Sequence, residues 1–251
     1  MRALLSQLET IARAAGAVIL QVYGTDFAVF GKADASPVTA ADELSEALIV
    51  PALQALTPGV PVVAEEAMSR GESAAVSGRF WLVDPLDGTR EFVARNGEFT
   101  VNIALVVDAQ PVLGVVYAPA LDCLYAGAPG LGAWRVQAGL RLPIRCRAVP
   151  AEGATLAISR VHGDAAELQQ WLQGRKVARR LPAGSALKFG LVAAGQADLY
   201  PRFGRTMEWD TAAGHALLLA AGGQVCDLEG LPLRYGKPGY ENPHFIASGG
   251  V

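Results

Sequence analysis

Two aspartates lie three residues apart in the segment Asp84-Pro85-Leu86-Asp87-Gly88-Thr89. Because proline restricts the backbone between them, both carboxylates can converge on one point, and the Leu86 carbonyl can face the same way. These groups offer hard oxygen ligands, which suit Mg²⁺ better than a soft metal. Gly88 lets the backbone approach closely, so the amides of Gly88 and Thr89 can hold phosphate oxygens. An ordinary turn is the alternative interpretation, since Asp, Pro and Gly all favour turns.

Other acidic residues are candidates for the same site. Glu65 and Glu66 follow a short apolar segment. Adjacent side chains there point to opposite faces, so only one of the two can enter a shared site. Asp210 stands at the start of an apolar helical pattern, where it could instead be a simple N-cap. Thr39 and Asp42 have the spacing of a capping box, which is the default interpretation of that pair.

Other catalytic chemistries find less support in the sequence. It contains no nucleophile-elbow motif of the form Gly-x-Ser-x-Gly, no P-loop, and no Gly-x-Gly-x-x-Gly after a strand. No zinc-site spacing relates the three histidines, which are His162, His215 and His244. Catalysis by a hard metal ion is therefore the strongest candidate.

The composition is typical of a compact globular protein, with 251 residues, 51% of them hydrophobic and 18% charged. A net charge of −3 argues against a general nucleic-acid binder, which needs a basic surface. It leaves an anionic metabolite open, because a bound divalent cation supplies local positive charge. The cysteines are odd in number and form no Cys-x-x-Cys pair, which indicates reduced thiols in a cytoplasmic protein.

The N-terminal segment is apolar at helical spacing, through Leu4, Leu8, Ile11, Ala15, Val18 and Val22. Glu9 and Arg13 interrupt the apolar stretch, so we expect neither a secretion signal nor a membrane-spanning segment. The pattern predicts an amphipathic helix that packs on the body of the protein. Peripheral association with the inner face of the cell membrane is left open.

The elements that must position the acidic residues change in character along the chain. A helix is predicted at 39–56, bent or broken near Pro51. Strands at 61–64 and 80–83 end at the Glu65 and Asp84 motifs.

Further along, strands at hairpin spacing between 100 and 145 predict a mostly antiparallel sheet. Beyond residue 150, strands alternate with helices, which is typical of an α/β arrangement. The specific predictions are strands at 101–107, 112–117, 123–126, 155–158, 198–200 and 224–227, and helices at 164–173, 185–194 and 210–221. We therefore expect an α+β lobe at 1–148 and an α/β lobe at 149–251, with the site in the cleft between them.

The motifs at 39–42, 64–66, 81–89 and 209–214, in this order, resemble those of the inositol monophosphatase superfamily of lithium-sensitive, Mg²⁺-dependent phosphatases. The resemblance covers nearly the whole chain, and several motifs in fixed order are more specific than any one of them. It implies the sugar-phosphatase fold of that superfamily, a layered sandwich of α+β and α/β parts.

Three segments resemble one particular family within this superfamily. Residues 81–105, 184–189 and 199–204 are most similar to the bacterial 3′(2′),5′-bisphosphate nucleotidases. That family hydrolyses adenosine 3′,5′-bisphosphate, a by-product of sulfur assimilation, to AMP and phosphate. An inositol or sugar monophosphatase is the alternative function, and a non-catalytic binding protein with the same fold is another.

The resemblance also assigns roles to residues. Two or three Mg²⁺ ions would be held by the side chains of Glu65, Asp84, Asp87 and Asp210 and by the carbonyl of Leu86. The catalytic residues would be Asp42, Thr89 and Glu65. Of these, Asp42 and Thr89 would position and deprotonate the attacking water held by a metal ion. Substrate contacts would come from Asp87, Gly88, Thr89, Ser159, His162, Ser185, Lys188, Arg202 and Asp210.

The second phosphate of a bisphosphate nucleotide must be held away from the metal ions, and Lys188 and Arg202 are the expected cations. Inositol-selective relatives carry an acidic residue where Arg202 stands, so this cation favours a doubly anionic substrate. A solvated surface charge is the alternative for either residue. The sequence leaves the oligomeric state open, and a homodimer is compatible with it.

Overall fold

The computed structural model describes residues 1–31, 37–72, 76–160 and 165–250. Within them the helices are α1 (Arg2–Tyr23), α2 (Ala40–Leu56), α3 (Glu65–Ser69), α4 (Thr89–Val93), α5 (Ala165–Leu172), α6 (Leu187–Ala193) and α7 (Glu208–Ala221). The strands are β1 (Phe30–Gly31), β2 (Pro37–Val38), β3 (Val62–Ala64), β4 (Arg79–Asp87), β5 (Thr100–Val107), β6 (Gln110–Ala118), β7 (Cys123–Ala128), β8 (Gly132–Gln137), β9 (Leu140–Ile144), β10 (Ala154–Ile158), β11 (Val177–Pro182), β12 (Leu199–Arg202), β13 (Gln224–Asp227) and β14 (Phe245–Ser248).

The larger sheet has seven strands in the order β3-β4-β5-β6-β7-β8-β9. All of its neighbours are antiparallel except β3 and β4, which are parallel. The mostly antiparallel sheet predicted for this part of the chain is thereby confirmed. Its strand β9 extends to Ile144, and the smaller sheet begins at Ala154. The division of the chain at residue 148 stays a prediction.

Both faces of the larger sheet are covered, because side chains alternate along each strand. On β4, Trp81 and Val83 pack with the apolar residues of α1 and α2. Phe80 and Leu82 point the other way and pack with those of α6 and α7. The result is a layered sandwich in which α6 and α7 lie between the two sheets, and the predicted fold class is confirmed.

The smaller sheet has five strands in the order β11-β10-β12-β14-β13. Strand β10 is parallel to β11 and β12, whereas β14 is antiparallel to β12 and β13. The sequence prediction named neither β11 nor β14. Strand β11 is a polar edge strand whose Arg179 and Arg180 are exposed, so it lacks the pattern of a buried strand. Strand β14 does bury Phe245 and Ala247, but these two residues alone are a weak signal in the sequence.

Helix α1 forms as predicted, but its buried face is turned by about one residue. The side chains that are fully buried are those of Leu5, Leu8, Ala12, Ala15 and Ile19. The helix packs this closely because Gly16 carries no side chain: a Cβ atom there would lie 2.5 Å from Tyr117 Cε1. By length and composition, α1 is the only helix in the described part of the chain that could cross a membrane. Helix α1 is apolar largely because one of its faces is buried in the core.

The structure excludes a break in α2 and moves the end of β4, whereas a bend of α2 near Pro51 stays a prediction. Helix α2 continues through Pro51 without a break, since Pro51 and the preceding-turn residue Ala47 are both exposed and water can replace the lost backbone hydrogen bond. Strand β4 does not end at Val83 but runs to Asp87, with a register shift against β5 between Asp84 and Asp87. The Asp84 motif is therefore an irregularity within a strand, which redirects its side chains.

Candidate metal and phosphate site

Three carboxylates from distant parts of the chain meet in one cleft. Oxygen atoms of Glu65, Asp84 and Asp210 all lie within 4.8 Å of one another. The parallel pairing of β3 with β4 places Ala64 opposite Val83, so the residues that follow them, Glu65 and Asp84, are neighbours. Helix α7 packs against β4 and supplies Asp210 from its first turn. We call these three residues the acidic trio.

The acidic trio is electrostatically unfavourable without a cation. The pKa of Asp210 is raised well above its ordinary value by burial and then by the negative charges of Asp87 and Glu65. A divalent cation would relieve this repulsion, and the donor set consists of hard carboxylate oxygens, which Mg²⁺ prefers. The residues present therefore fit the metal ion that the sequence predicts.

Two members of the trio, Asp84 and Asp210, are oriented by hydrogen bonds to nearby backbone N–H groups. Asp84 is buried and accepts a hydrogen bond from the Leu86 N–H at 3.0 Å through Oδ1. Asp210 is not the N-cap of α7, as the alternative interpretation had it: it is the third residue of the helix, and its Oδ2 accepts the N–H of the N-cap residue Met207 at 2.9 Å. Glu66 is buried beside Glu65 but does not line the cleft, and its N–H donates to Glu46 Oε2 at 2.8 Å.

Asp87 lies in the same cleft but outside the acidic trio. Its Oδ2 accepts hydrogen bonds from the Ser185 hydroxyl at 2.6 Å, the Ala186 N–H at 2.7 Å and Asn102 Nδ2 at 3.3 Å. The loop before α6 thus holds Asp87 in the cleft, and the convergence of its carboxylate with that of Asp84 stays a prediction. The role of Asp87 as a metal ligand stays a prediction as well.

Thr89 and Asp42 form a pair at one edge of the cleft. The Thr89 hydroxyl lies 3.2 Å from Asp42 Oδ1 and 3.4 Å from the Leu86 carbonyl oxygen. Asp42 Oδ2 accepts both the N–H and the hydroxyl of Thr39, each at 2.8 Å. Asp42 is buried behind Thr89 and does not line the cleft. A carboxylate fixed in this way can accept a proton through the threonine hydroxyl.

The cleft also contains cations contributed by the later part of the chain. Lys188 is buried and donates to the Ser185 carbonyl at 2.6 Å and to the Ala183 carbonyl at 3.2 Å. Burial lowers the pKa of Lys188 to about 8, although the charge of Asp87 opposes this. Its Nζ lies 5.1 Å from the centre of the Tyr200 ring.

Arg202 is the second of these cations. It contacts the Ser159 hydroxyl at 3.4 Å and the Arg205 carbonyl at 3.2 Å. Its Nε is buried, and no described atom accepts a hydrogen bond from it. Such a group is able to bind an anionic ligand.

The cleft has a volume of about 480 Å³. The predicted site residues that line it are Glu65, Asp84, Leu86, Asp87, Gly88, Thr89, Ser159, Ser185, Lys188, Arg202 and Asp210. His162 lies outside the described residues. The sequence reasoning assigned no role to Glu91, Asn102, Tyr200 or Arg205. Asn102 lies opposite Asp84 in the pairing of β4 with β5 and donates to Asp87, but the register of these strands is visible only in the structure.

Comparison with known proteins agrees with this fold. The sequence profile of the inositol monophosphatase family matches residues 1–248, and the chain belongs to this family. The acidic trio suits the metal dependence of that family.

Three individual proteins are similar to this chain over nearly its whole length. The chain is 50% identical over 248 residues to a protein named 3′(2′),5′-bisphosphate nucleotidase CysQ from Escherichia coli (strain K12), covering 98% of this chain and 99% of the relative. The solved structure of CysQ from Bacteroides thetaiotaomicron has a TM-score of 0.80 and 40% identity, covering 96% of this chain and 95% of that one. The inositol monophosphatase of Anabaena (Nostoc) sp. PCC 7120 has a TM-score of 0.77 and 29% identity, covering 100% and 91%.

Proposed function

We propose that the protein hydrolyses the 3′-phosphate of adenosine 3′,5′-bisphosphate to give AMP and phosphate, with Mg²⁺ as cofactor. One observation carries this proposal: the acidic trio and the cations Lys188 and Arg202 line the same cleft. A phosphate held by metal ions at the trio leaves a second phosphate within the cleft for the cations. The names of the relatives that match the full chain support the same substrate.

Two or three Mg²⁺ ions would be held by the trio together with Asp87 and the Leu86 carbonyl. When bound there, Mg²⁺ would supply the positive charge that polarises the phosphate, stabilises the leaving oxygen and lowers the pKa of the attacking water. Thr89 orients this water and takes its proton while passing its own to Asp42 Oδ1, which lies 3.2 Å from the hydroxyl. The water oxygen bonds to phosphorus as the bond from phosphorus to O3′ breaks, and O3′ takes a proton from solvent water to become the 3′-hydroxyl of AMP.

The 5′-phosphate would be bound by Lys188 and Arg202. Arg202 Nε is buried without an acceptor among the described atoms, so an anion there would satisfy a polar group that is costly to leave unpaired. Ser159 and Ser185 add hydroxyl groups on the same side. His162 is a further candidate on sequence grounds alone.

The cellular setting belongs to the same proposal. The cysteines Cys123, Cys146 and Cys226 are all free, which suits a reducing cytoplasm. A homodimer stays a prediction, and sedimentation of the purified protein would test it.

A substrate panel tests the proposal directly. Purified protein is given adenosine 3′,5′-bisphosphate, inositol 1-phosphate or glucose 1-phosphate, with Mg²⁺ or with EDTA, and released phosphate is measured. We expect release from the bisphosphate to be fastest, to yield AMP rather than adenosine 3′-monophosphate, and to stop with EDTA. Faster release from inositol 1-phosphate would favour the alternative of an inositol monophosphatase, and release that persists in EDTA would contradict the metal site.

A further inference from the structure

Glu98 makes a contact that the mechanism above does not use. It lies in the connection between α4 and β5, outside the cleft lining. Its carboxylate forms a two-pronged ion pair with Arg160, with Nε and Nη2 each 2.6 Å from an oxygen. Glu98 Oε2 also accepts the Gly184 N–H at 2.8 Å. The ion pair joins a residue just before β5 of the larger sheet to a residue just after β10 of the smaller one, and the third bond reaches the loop before α6.

This loop is attached at three consecutive residues. Gly184 donates to Glu98, while the Ser185 hydroxyl and the Ala186 N–H donate to Asp87. Lys188 then donates to the Ser185 carbonyl, so the position of the loop also sets the position of the lysine ammonium. We call residues 183–186 the substrate loop.

The substrate loop would not keep this shape unaided. Ser185 has a φ of +52°, in the left-handed region that side chains other than glycine rarely adopt. A Cβ atom at Gly184 would lie 2.6 Å from the Glu98 carbonyl oxygen, so the loop packs directly against the backbone at Glu98. A strained conformation persists only where the surroundings hold it firmly.

An exposed ion pair by itself contributes little to stability, and Arg160 is 44% exposed. The bond to the Gly184 N–H is different, because it is charge-assisted and the Glu98 side chain is only 17% exposed. We infer that Glu98 is a positioning residue that holds the substrate loop against the turn carrying Asp87. Through that loop it sets the nucleotide affinity of the cleft. The kinetic part of this inference rests on the proposed function.

The test compares Glu98→Ala, Glu98→Gln and Arg160→Gln with the control Asp122→Asn, which removes an exposed ion pair of 2.9 Å to Arg13 that does not involve Glu98 or the substrate loop. Glu98→Gln keeps an oxygen that can accept the Gly184 N–H, and Arg160→Gln keeps the whole carboxylate. We expect Glu98→Ala to raise KM for adenosine 3′,5′-bisphosphate about 10- to 100-fold, with a smaller change in kcat. We expect the other two variants to stay within about threefold of wild type.

Backbone amide hydrogen exchange, measured by mass spectrometry without substrate, tests separately whether Glu98 holds the substrate loop in place. Residues 183–189 should exchange faster in Glu98→Ala than in wild type and stay protected in Asp122→Asn. If Glu98→Ala fails to fold, Glu98→Asp, whose carboxylate is one methylene shorter, replaces it. If amide exchange in Glu98→Ala equals that of wild type, the inference is overturned. Given a wild type that hydrolyses the nucleotide, it is also overturned if Glu98→Ala exchanges faster but keeps the wild-type KM. A wild type that does not hydrolyse the nucleotide would refute the proposed function, and exchange alone would then decide whether Glu98 holds the loop.

Discussion

The two oxygens of Asp42 have different partners. Oδ2 accepts hydrogen bonds from Thr39 at the start of α2, and Oδ1 faces the Thr89 hydroxyl. In the sequence, the capping box and the catalytic pair look like alternatives that compete for one residue. The structure shows that a single carboxylate can have both sets of contacts, because helix capping fixes the direction of the oxygen that is left for Thr89.

Removing the Thr89 hydroxyl should therefore affect turnover far more than folding. We expect Thr89→Ala to lower kcat about 10²- to 10³-fold, because the water would lose its route to Asp42. Thr89→Ser keeps a hydroxyl and should retain much more activity. The exposed Thr10→Ala is the control. Initial rates of phosphate release decide the matter, and a Thr89→Ala enzyme with wild-type kcat would remove Asp42 and Thr89 from the mechanism.

A second prediction at this scale concerns Arg202. Replacing it with glutamate puts a negative charge where we place the 5′-phosphate, so KM for adenosine 3′,5′-bisphosphate should rise about 100-fold. KM for inositol 1-phosphate should change far less, since that substrate has no second phosphate. Arg180→Glu, on the exposed edge strand β11, is the matched control. Equal effects of Arg202→Glu on both substrates would contradict the assignment.

At the scale of elements, α7 connects the site to both sheets. It presents Asp210 at its first turn and packs on β4, β5, β6 and β7 of the larger sheet and on β13 and β14 of the smaller one. Helix and sheet approach closely at Gly114 of β6, where a Cβ atom would lie 2.4 Å from the Ala213 carbonyl oxygen. Backbone atoms cannot move aside as a flexible side chain can, so this contact fixes the depth at which α7 sits.

Gly114→Ala should consequently destabilise the protein by about 2–3 kcal/mol, because α7 must move away from the sheet. Thermal unfolding followed by circular dichroism would show this as a fall in Tm of about 5 °C. The control is Gly24→Ala at the end of α1, where the nearest atom to the added Cβ is 3.5 Å away and the backbone is right-handed. A Tm equal to that of the control would mean that the contact relaxes without cost.

Local patterns predicted the elements that have a buried face, such as α1, α2, β5 and α7. They missed β11, which is mostly exposed, and β14, which buries only Phe245 and Ala247. Both strands form because they pair with strands that are distant in the sequence. The same limit applies to the site. The motif order pointed to Glu65, Asp84 and Asp210, yet the bonds from Ser185 and Ala186 to Asp87 depend on how two sheets meet. No periodicity within one segment encodes that distance.

For the molecule as a whole, His215 makes stability depend on pH. It lies buried in α7, and its Nδ1 is 3.0 Å from the Tyr235 hydroxyl oxygen. Burial lowers its pKa from 6.5 to about 4. The unfolded chain therefore binds more protons than the folded protein between these pH values. The contribution of neutral His215 to the free energy of unfolding is therefore fully present above pH 6.5 and is lost as the pH falls towards 4.

We expect the protonation of this histidine to lower the free energy of unfolding by about 2 kcal/mol when the pH falls from 7 to 5. His215→Gln cannot be protonated, so its Tm should fall less than that of wild type over the same interval. His244→Gln, at an exposed position, should keep the full wild-type dependence. Tm values for the three proteins at both pH values provide the comparison. Parallel curves for wild type and His215→Gln would show that other groups control the acid sensitivity.

The order of strands in the smaller sheet has a consequence for biosynthesis. Strand β14 lies between β12 and β13, and β13 has no other strand partner among the described residues. Yet β14 is the last of the five to leave the ribosome. While it is still in the exit tunnel, β13 has no neighbour to pair with, and the edge of β12 stays open to other nascent chains. Closure of this sheet must therefore wait until translation has passed Ser248, long after the segments carrying Glu65 and Asp84 have emerged.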